Sequence, residues 1–533
     1  MVKKKSPPAR RRAPQRVERT ATRGAAAAVL VLTVLFLAVR WNTFAAPFER
    51  DEGEYAYAAW LMRQGILPYE NSFMQKPPMV IYTYLAGQAA SGGVWPPRVL
   101  AALFLAGAVA CTALFARREL GTSGAFASAA LAIPMLALPE LAPFAANTEV
   151  FMLLPLAATL AVYGRGRGRC SDAAWFGAGA LAAGALLYKP ICLFVLAVLA
   201  GLWIYETWRD SRSVTTVARR VASGLAGCAA AALVALGWFL ARDGGRSFWE
   251  AAVRFNAYYA RLGEEGRAFF AQIQLLWSQW WALFTLFGWF VLRRPKRLWF
   301  YAALVVAAWL GVYRSWNLHY VLLLVPFLAL LGAAAIEGIA DYFELGSWRY
   351  GMVAVVAGVL ALPGIRLIGM APDAIARSIY GSSNPFVESE AVARRVAELT
   401  RPQDFVYVAG SEPQILYHAR RRSPTRFVIS YPLMLETPLA LPYQQECVRD
   451  LERNPPAAIV FARSPLSWLP RPNSPKVLMD YLGRTLQSDY RLVGGFVPDA
   501  VRGAWEEPIP SDHQERASLL VFQRNAAHAK PDH

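Results

Sequence analysis

The chain has 533 residues, 56% of them hydrophobic and only 17% charged, whereas a soluble chain of ordinary composition carries about a quarter charged residues. The deficit excludes a single large water-soluble core and points to lipid-facing surface. The net charge of +18 does not mark a nucleic-acid protein, because Lys and Arg sit in short clusters between apolar runs and no basic stripe with interleaved aromatics lies on a polar segment.

The chain opens with a basic tail, residues 1–23, followed by an apolar run at 24–39. Crossing about 30 Å of hydrocarbon takes about 20 apolar residues. No convincing small-residue cleavage site precedes Arg40, so the run is expected as an uncleaved first span with a cytoplasmic N-terminus. Further spans are expected at about 97–116, 122–142, 149–163, 173–188, 190–207, 221–241, 271–292, 298–313, 318–336 and 351–370, about eleven crossings in all. Starting inside, four consecutive cytoplasmic gaps then hold Arg117-Arg118; Arg165, Arg167 and Arg169; the basic stretch 209–220; and Arg293-Arg294-Pro295-Lys296-Arg297. This obeys the positive-inside rule. The fifth gap, 337–349, is acidic and carries no such signal. The apolar segment 77–90 is too short to span and is expected to lie along the outer surface; if it crossed, every later arginine cluster would face outward.

From about residue 371 the composition turns polar and mixed. Strands are predicted at 405–409, 457–461, 492–496 and 519–522, and helices at 387–399 and 476–486. The expected architecture is therefore a polytopic α-helical membrane part, 24–370, with a first external loop at 40–96. A soluble α/β or α+β domain, 371–533, follows outside the cytoplasm and is long enough to bury a core of its own. Cys111, Cys170, Cys192, Cys228 and Cys447 are scattered with no metal-ligand spacing, so neither a disulfide framework nor a zinc site is expected.

The outward-facing loops carry the chemistry. The first contains Asp51-Glu52-Gly53-Glu54-Tyr55-Ala56-Tyr57. On a helix, Asp51 and Tyr55 share a face, while Glu52 and Glu54 are expected to point elsewhere. Acids at a helix start also simply complement its dipole. The same loop continues to Gln75-Lys76-Pro77-Pro78, with Tyr82 close behind. The proline pair fixes an extended entry that holds the ammonium near the membrane surface, although a snorkelling lysine reads the same way. The second external loop ends Asn147-Thr148-Glu149, where a carboxylate near lipid depth is costly without a partner or a role, or serves as an ordinary helix-start acid. Lys189, in Tyr188-Lys189-Pro190, and Arg314, His319 and Tyr320 gather at the same predicted boundary, and 242–267 adds Arg254, Asn256, Tyr258 and Tyr259. Acids that can take a proton and cations that can hold a phosphate thus fall on one side, which suits a sugar phosphate with a lipid tail.

The series Asp51-Glu52-Gly53-Glu54-Tyr55, Lys76-Pro77-Pro78, Glu149, Tyr188-Lys189-Pro190 and His319-Tyr320 resembles the GT-C glycosyltransferases. It is most similar to the glycosyltransferase family 39 group, which includes protein O-mannosyltransferases and the aminoarabinose transferase acting on lipid A. The resemblance covers roughly residues 25–340. It implies a hexosyl or pentosyl transferase that uses a polyprenyl-phosphate-sugar donor and a lipid, glycan or protein acceptor at the outer face of a bacterial inner membrane. It implies Asp51 as base with Glu52 as its neighbouring motif acid, and Lys76 and Lys189, joined by Arg314, on the carrier phosphate. Glu149 stands where the family often has Asp. Val408-Ala409-Gly410-Ser411-Glu412-Pro413 resembles a V-x-G-x-E-P element of bacterial members with a soluble tail, to which the resemblance attaches no role. No cofactor is required, and a divalent cation near Glu52 or Glu149 is compatible but not demanded. The rival reading, a transporter or flippase of lipid-linked sugars, calls for mid-helix charges and broken helices in related halves; here the charges sit at span ends and no halves are evident. A non-catalytic scaffold would not need outward acids and lysines spread over five loops.

Overall fold

Helices carry the first two thirds of the chain, because in lipid each backbone N–H and C=O must find its partner within its own segment. The computed structural model describes residues 34, 36, 37, 40–166, 170–262, 265–293, 295–315, 317–499 and 503–525. The basic tail 1–23 and most of the expected span 24–39 lie outside them. The 40–96 loop folds into α1 (Arg50–Arg63) and α2 (Met79–Ala90). At 1.5 Å per residue, α2 is roughly 18 Å long, well short of the bilayer's hydrocarbon core.

The expected spans at 97–116 and 122–142 form one helical run, α3 (Trp95–Met135), broken at Gly121. There follow α4 (Thr148–Gly166), α5 (Asp172–Leu186), α6 (Leu193–Ser211), α7 (Val214–Leu240), α8 (Glu265–Arg293), α9 (Pro295–Leu310), α10 (Val325–Tyr342) and α11 (Trp348–Ile365). Among the described residues, five helical stretches are long and apolar enough to cross a membrane: Trp95–Met135, Pro190–Ser211, Val214–Leu240, Leu318–Tyr342 and Trp348–Ile365. The segments 149–163, 173–188, 271–292 and 298–313 also coincide with helices, although α5 stops at Leu186, two residues short of Tyr188.

The C-terminal part begins with α12 (Pro372–Tyr380) and α13 (Ser389–Leu399) and then forms a five-stranded mixed sheet. Its strands are β1 (Val406–Ala409), β2 (Ala458–Ala462), β3 (Tyr490–Val497), β4 (Ala504–Glu506) and β5 (Leu519–Arg524), in the order β1-β2-β5-β3-β4. β1 and β2 are parallel, with Val408 opposite Val460, and the other pairs are antiparallel. A parallel pair needs a crossover; α14 (Pro413–Ala419) and α15 (Ala440–Arg453) lie in it. Helix α16 (Val477–Ser488) leads into β3. The three-residue edge strand β4 is too short to leave a pattern in the sequence, and the prolines and polar residues of α14 and α15 masked those helices.

The core is shared rather than split. Leu105 on α3, Tyr55 on α1, Tyr407 in β1 and Tyr417 on α14 belong to one continuous buried apolar cluster. The C-terminal part is therefore seated, through α14, on α1 of the 40–96 loop, and this contact shapes the site.

Candidate active site

Glu49 starts α1 by accepting from the backbone N–H groups of Asp51 (3.0 Å) and Glu52 (3.1 Å), while the Glu52 carboxylate accepts from Glu49 N (3.2 Å). This reciprocal capping box fixes the helix start. Glu52 is fully buried, and its remaining lone pairs take Arg98 Nε at 2.9 Å, Arg98 Nη2 at 2.5 Å and Ala146 N at 2.8 Å. Arg98 also donates to the carbonyls of Thr43, Ala46 and Pro47. One ion pair thus ties the start of α1, the start of α3 and the loop before α4 together. Its acceptor sites are filled and its surface is gone, so Glu52, expected beside Asp51 in the catalytic pair, lies in this structure as a buried anchor of α1.

Asp51 differs from it. Its side chain keeps a quarter of its surface exposed, and its Oδ2 lies 4.0 Å from Lys76 Nζ. Lys76 is held from three sides: Tyr69 donates to its carbonyl (2.8 Å), Asn256 donates to the Gln75 carbonyl (2.6 Å), and the Tyr431 hydroxyl reaches Gln75 Oε1 (2.5 Å). Burial alone would lower the pKa of the Lys76 ammonium, but Asp51, Tyr55, Tyr431 and Glu54 outweigh it and hold the group well above the usual lysine range. The lysine stays charged.

Glu54 corrects a second expectation. Three residues after Asp51, it lies on the same side of the helix, near enough for both Lys76 and Asp51 to act on it. It is fully buried, and among the described residues neither of its oxygens has a hydrogen-bond partner. Burial pushes its carboxyl up to about 8, Lys76 opposing and Asp51 adding. The folded carboxyl therefore binds a proton between about 4.5 and 8 that the unfolded one has released, and stability falls as pH rises through that window. Glu54→Gln removes this liability. Its melting temperature is expected to exceed that of the unmodified chain at pH 9, with the gap closing as pH falls toward 4.5; a gap of constant size would show that the carboxyl is not its source.

A second cluster sits beside the first. Glu149, buried at the start of α4, pairs with Lys189 Nζ and lies 3.4 Å from His319 Nε2, while Thr148 Oγ1 donates to its other oxygen (3.0 Å). Lys189 Nζ stands 3.5 Å from the centre of the Tyr320 ring, a desolvated cation–π contact. The clusters are braced together: Thr83 and Tyr188 share a hydroxyl bond of 2.7 Å, Met79 N donates to Leu187 O (3.3 Å), and Tyr84 donates to Ala146 O (3.1 Å). Tyr55, fully buried, lies where the charges of Asp51, Lys76, Glu149 and Glu54 all bear on its phenol. Tyr259 likewise lies within reach of Tyr320, Lys76 and Asp51. The acids and ammonium groups of three loops converge on one place.

No protein-family model and no curated protein sequence matches the chain. Solved structures do match. ArnT from Cupriavidus metallidurans, a lipid A aminoarabinose transferase, is 15% identical; in its complex with undecaprenyl phosphate the likeness covers 95% of this chain and 98% of that one, with a TM-score of 0.57. The apo form of the same protein gives a TM-score of 0.58 at 15% identity, covering 95% of this chain and all of that one. The Archaeoglobus fulgidus oligosaccharyltransferase tethered to an acceptor peptide gives 0.50 at 11% identity, over 92% of this chain and 75% of that one. These are GT-C glycosyltransferases. The chain has the GT-C fold.

Within the GT-C frame the remaining predicted residues separate. Asn147 is buried beside Glu149, with no described partner for its Oδ1, and its carbonyl rather than its side chain begins α4. Tyr57 has turned away from Asp51 and accepts from Ser423 N (2.9 Å), and Tyr82 donates to Ala235 O on α7 (2.9 Å); both phenols are spent on packing. Arg314 is exposed on the turn after α9. Among the described residues no group of three or more His, Cys, Asp and Glu side chains is placed to hold a metal ion. Two contributors, Arg98 and Tyr431, were missed from the sequence, and Glu412 stood there only in a motif without a role. Arg98 looks like an ordinary flanking arginine at a span start, and Tyr431 and Glu412 lie more than 330 residues from what they touch. A cleft of about 370 Å³ at the far end of α1, lined by Trp60, Arg63, Gln88 and Arg420 among others, contains none of the predicted residues.

Proposed function

We propose that the chain is a membrane glycosyltransferase that moves a sugar from a polyprenyl-phosphate carrier to a lipid, glycan or protein acceptor outside the cytoplasm. In this reading the membrane part, 24–370, crosses a bacterial inner membrane eleven times with the N-terminus inside, and residues 371–533 lie outside. The observation that carries the reading is the pairing of a partly exposed carboxylate, Asp51, with a permanently charged lysine, Lys76, 4.0 Å away. A base must come within hydrogen-bond reach of the proton that it removes, and a leaving phosphate needs a fixed cation.

Asp51 takes the proton from the acceptor hydroxyl or amine as that atom attacks the anomeric carbon. The bond from that carbon to the phosphate oxygen breaks, its electron pair stays on the polyprenyl phosphate, and Lys76 offsets the added charge. A single displacement inverts the anomeric centre. Lys189 is already engaged with Glu149, so we assign it, with His319 and Tyr320, to the wall that shapes the carrier's headgroup site; the carrier phosphate meets Lys76 first. The undecaprenyl phosphate bound to ArnT supports a carrier of that class here. No step of this scheme calls on a metal.

Two measurements test the proposal. The purified chain, incubated with radiolabelled polyprenyl-phosphate sugars and membrane extract, is expected to consume at least one donor and yield a labelled acceptor with inverted configuration. Lys76→Ala is expected to weaken binding of undecaprenyl phosphate about 10- to 100-fold, the worth of a charged hydrogen bond. Unchanged binding by that variant, or no turnover of any donor, would overturn the assignment.

A further inference from the structure

The Val408-Ala409-Gly410-Ser411-Glu412-Pro413 element leaves β1 in a turn that only glycine permits. Gly410 has φ +148°, and a Cβ there would stand 2.6 Å from Ala462 Cβ and Ser467 Oγ. Beyond it Ser411 is locked: its N–H donates to Ser467 Oγ (2.7 Å), its hydroxyl donates to Ser467 O (2.5 Å), and it accepts from Ser430 N (2.9 Å). The Ser430 hydroxyl closes the knot by donating to Gly410 O (2.7 Å). Three segments of chain, at 410–411, 430 and 467, are thereby fused into one rigid turn.

That turn has two arms. On one, Arg50 Nε donates to Ser411 O (2.7 Å), and Arg50 Nη2 lies 3.2 Å from Glu412 Oε1. Glu412 is fully buried, and its other oxygen accepts from Gln414 (2.8 Å). Gly53 seats directly on this element, since a Cβ there would come within 2.6 Å of Gln414 N. Arg50 and Gly53 flank Asp51, so the first turn of α1 is gripped on both sides of it. On the other arm, Tyr431, the neighbour of Ser430, reaches Gln75 Oε1, one residue before Lys76.

We infer that this turn is the positioning device of the site: it sets the spacing between Asp51 and Lys76, with Glu412 and Tyr431 as positioning residues acting through Arg50 and Gln75. The inference rests on the roles proposed above for Asp51 and Lys76. The physical reason is that α1 and the Gln75–Lys76 loop have no direct backbone link near the site, and an irregular loop does not hold a charge to within an ångström by itself. A misplacement of about 1 Å can cost roughly 100-fold in rate.

The test uses the full-length purified chain, with undecaprenyl phosphate as the binding probe and the donor consumed in the panel as substrate. Glu412→Gln keeps the side-chain shape and removes the negative charge that faces Arg50; its kcat is expected to fall about 10- to 100-fold while KM for the donor changes less than about threefold. Tyr431→Phe removes one hydroxyl and is expected to raise Kd for undecaprenyl phosphate about two- to tenfold. Because both arms spring from one turn, the double variant should lose less in kcat than the product of the two single kcat losses. A purely structural role would lower the melting temperature and leave kcat and Kd of the folded protein unchanged; that result in both variants overturns the inference. If Asp51→Asn is inactive and Lys76→Ala fails to bind while both positioning variants behave normally, the inference alone has failed. If Asp51→Asn transfers sugar normally, the proposed function fails and the inference with it.

Discussion

Asp51→Asn is expected to lower sugar transfer by about 10²- to 10⁴-fold, the usual worth of a positioned general base, while the protein inserts and folds as before. Folding is spared because the contacts that shape α1 belong to its neighbours: Glu49 caps the helix, Glu52 binds Arg98, and Arg50 binds the C-terminal turn. What Asp51 itself contributes is a partly exposed carboxylate 4.0 Å from Lys76, a pair too open to hold much of the structure together. The same geometry gives a second readout with the opposite sign. Removing the anion beside Lys76 leaves the ammonium freer for a phosphate, so Asp51→Asn should bind undecaprenyl phosphate at least as tightly as the unmodified chain. A rate assay and a binding isotherm on one preparation then separate loss of the base from loss of the site. Near-normal transfer, or binding lost in parallel with transfer, would remove Asp51 from this role.

The largest loss of stability is expected from Arg98→Leu. Arg98 is almost wholly buried, forks onto both oxygens of Glu52 and reaches three backbone carbonyls. Leucine fills part of the volume but leaves the Glu52 carboxylate buried and uncompensated, and breaking such a pair costs about 3–5 kcal/mol. The double variant Arg98→Leu, Glu52→Leu should recover part of that loss, because the stranded charge disappears with its partner. Thermal unfolding in detergent measures both. Arg98→Leu melting within a degree or two of the unmodified chain would mean that Glu52 is not held by this pair. The two predictions divide adjacent residues of one motif by opposite criteria: Asp51 should matter for rate, and Glu52 through Arg98 for folding.

The helices were legible because hydropathy and charge are properties of neighbours along the chain. The segments at 149–163 and 351–370 fall on α4 and α11, and the Pro77-Pro78 pair stands immediately before α2. The strands at 406–409, 458–462, 490–497 and 519–524 follow from runs of β-branched and aromatic residues, whereas β4 has three residues and no period to show. The site was legible as a set of residue types. Its internal division was not: Asp51, Glu52 and Glu54 are three carboxylates in four residues, and no local rule says which is paired, which is buried without a partner and which is open.

By itself, then, the sequence determined which segments are helical and apolar, where the polar C-terminal part begins, and which acids and lysines are available to the loops between the helices, since each of these depends on residues a turn or a strand away. Only the tertiary structure decided what each acid does. Glu52 is neutralised by an arginine 46 residues away. Glu54 is enclosed under Lys76 with its oxygens unpartnered among the described residues. The helix bearing Asp51 is gripped by Glu412, 362 residues from Arg50. The state of a buried charge depends on its neighbours in space, and those neighbours come from every part of the chain.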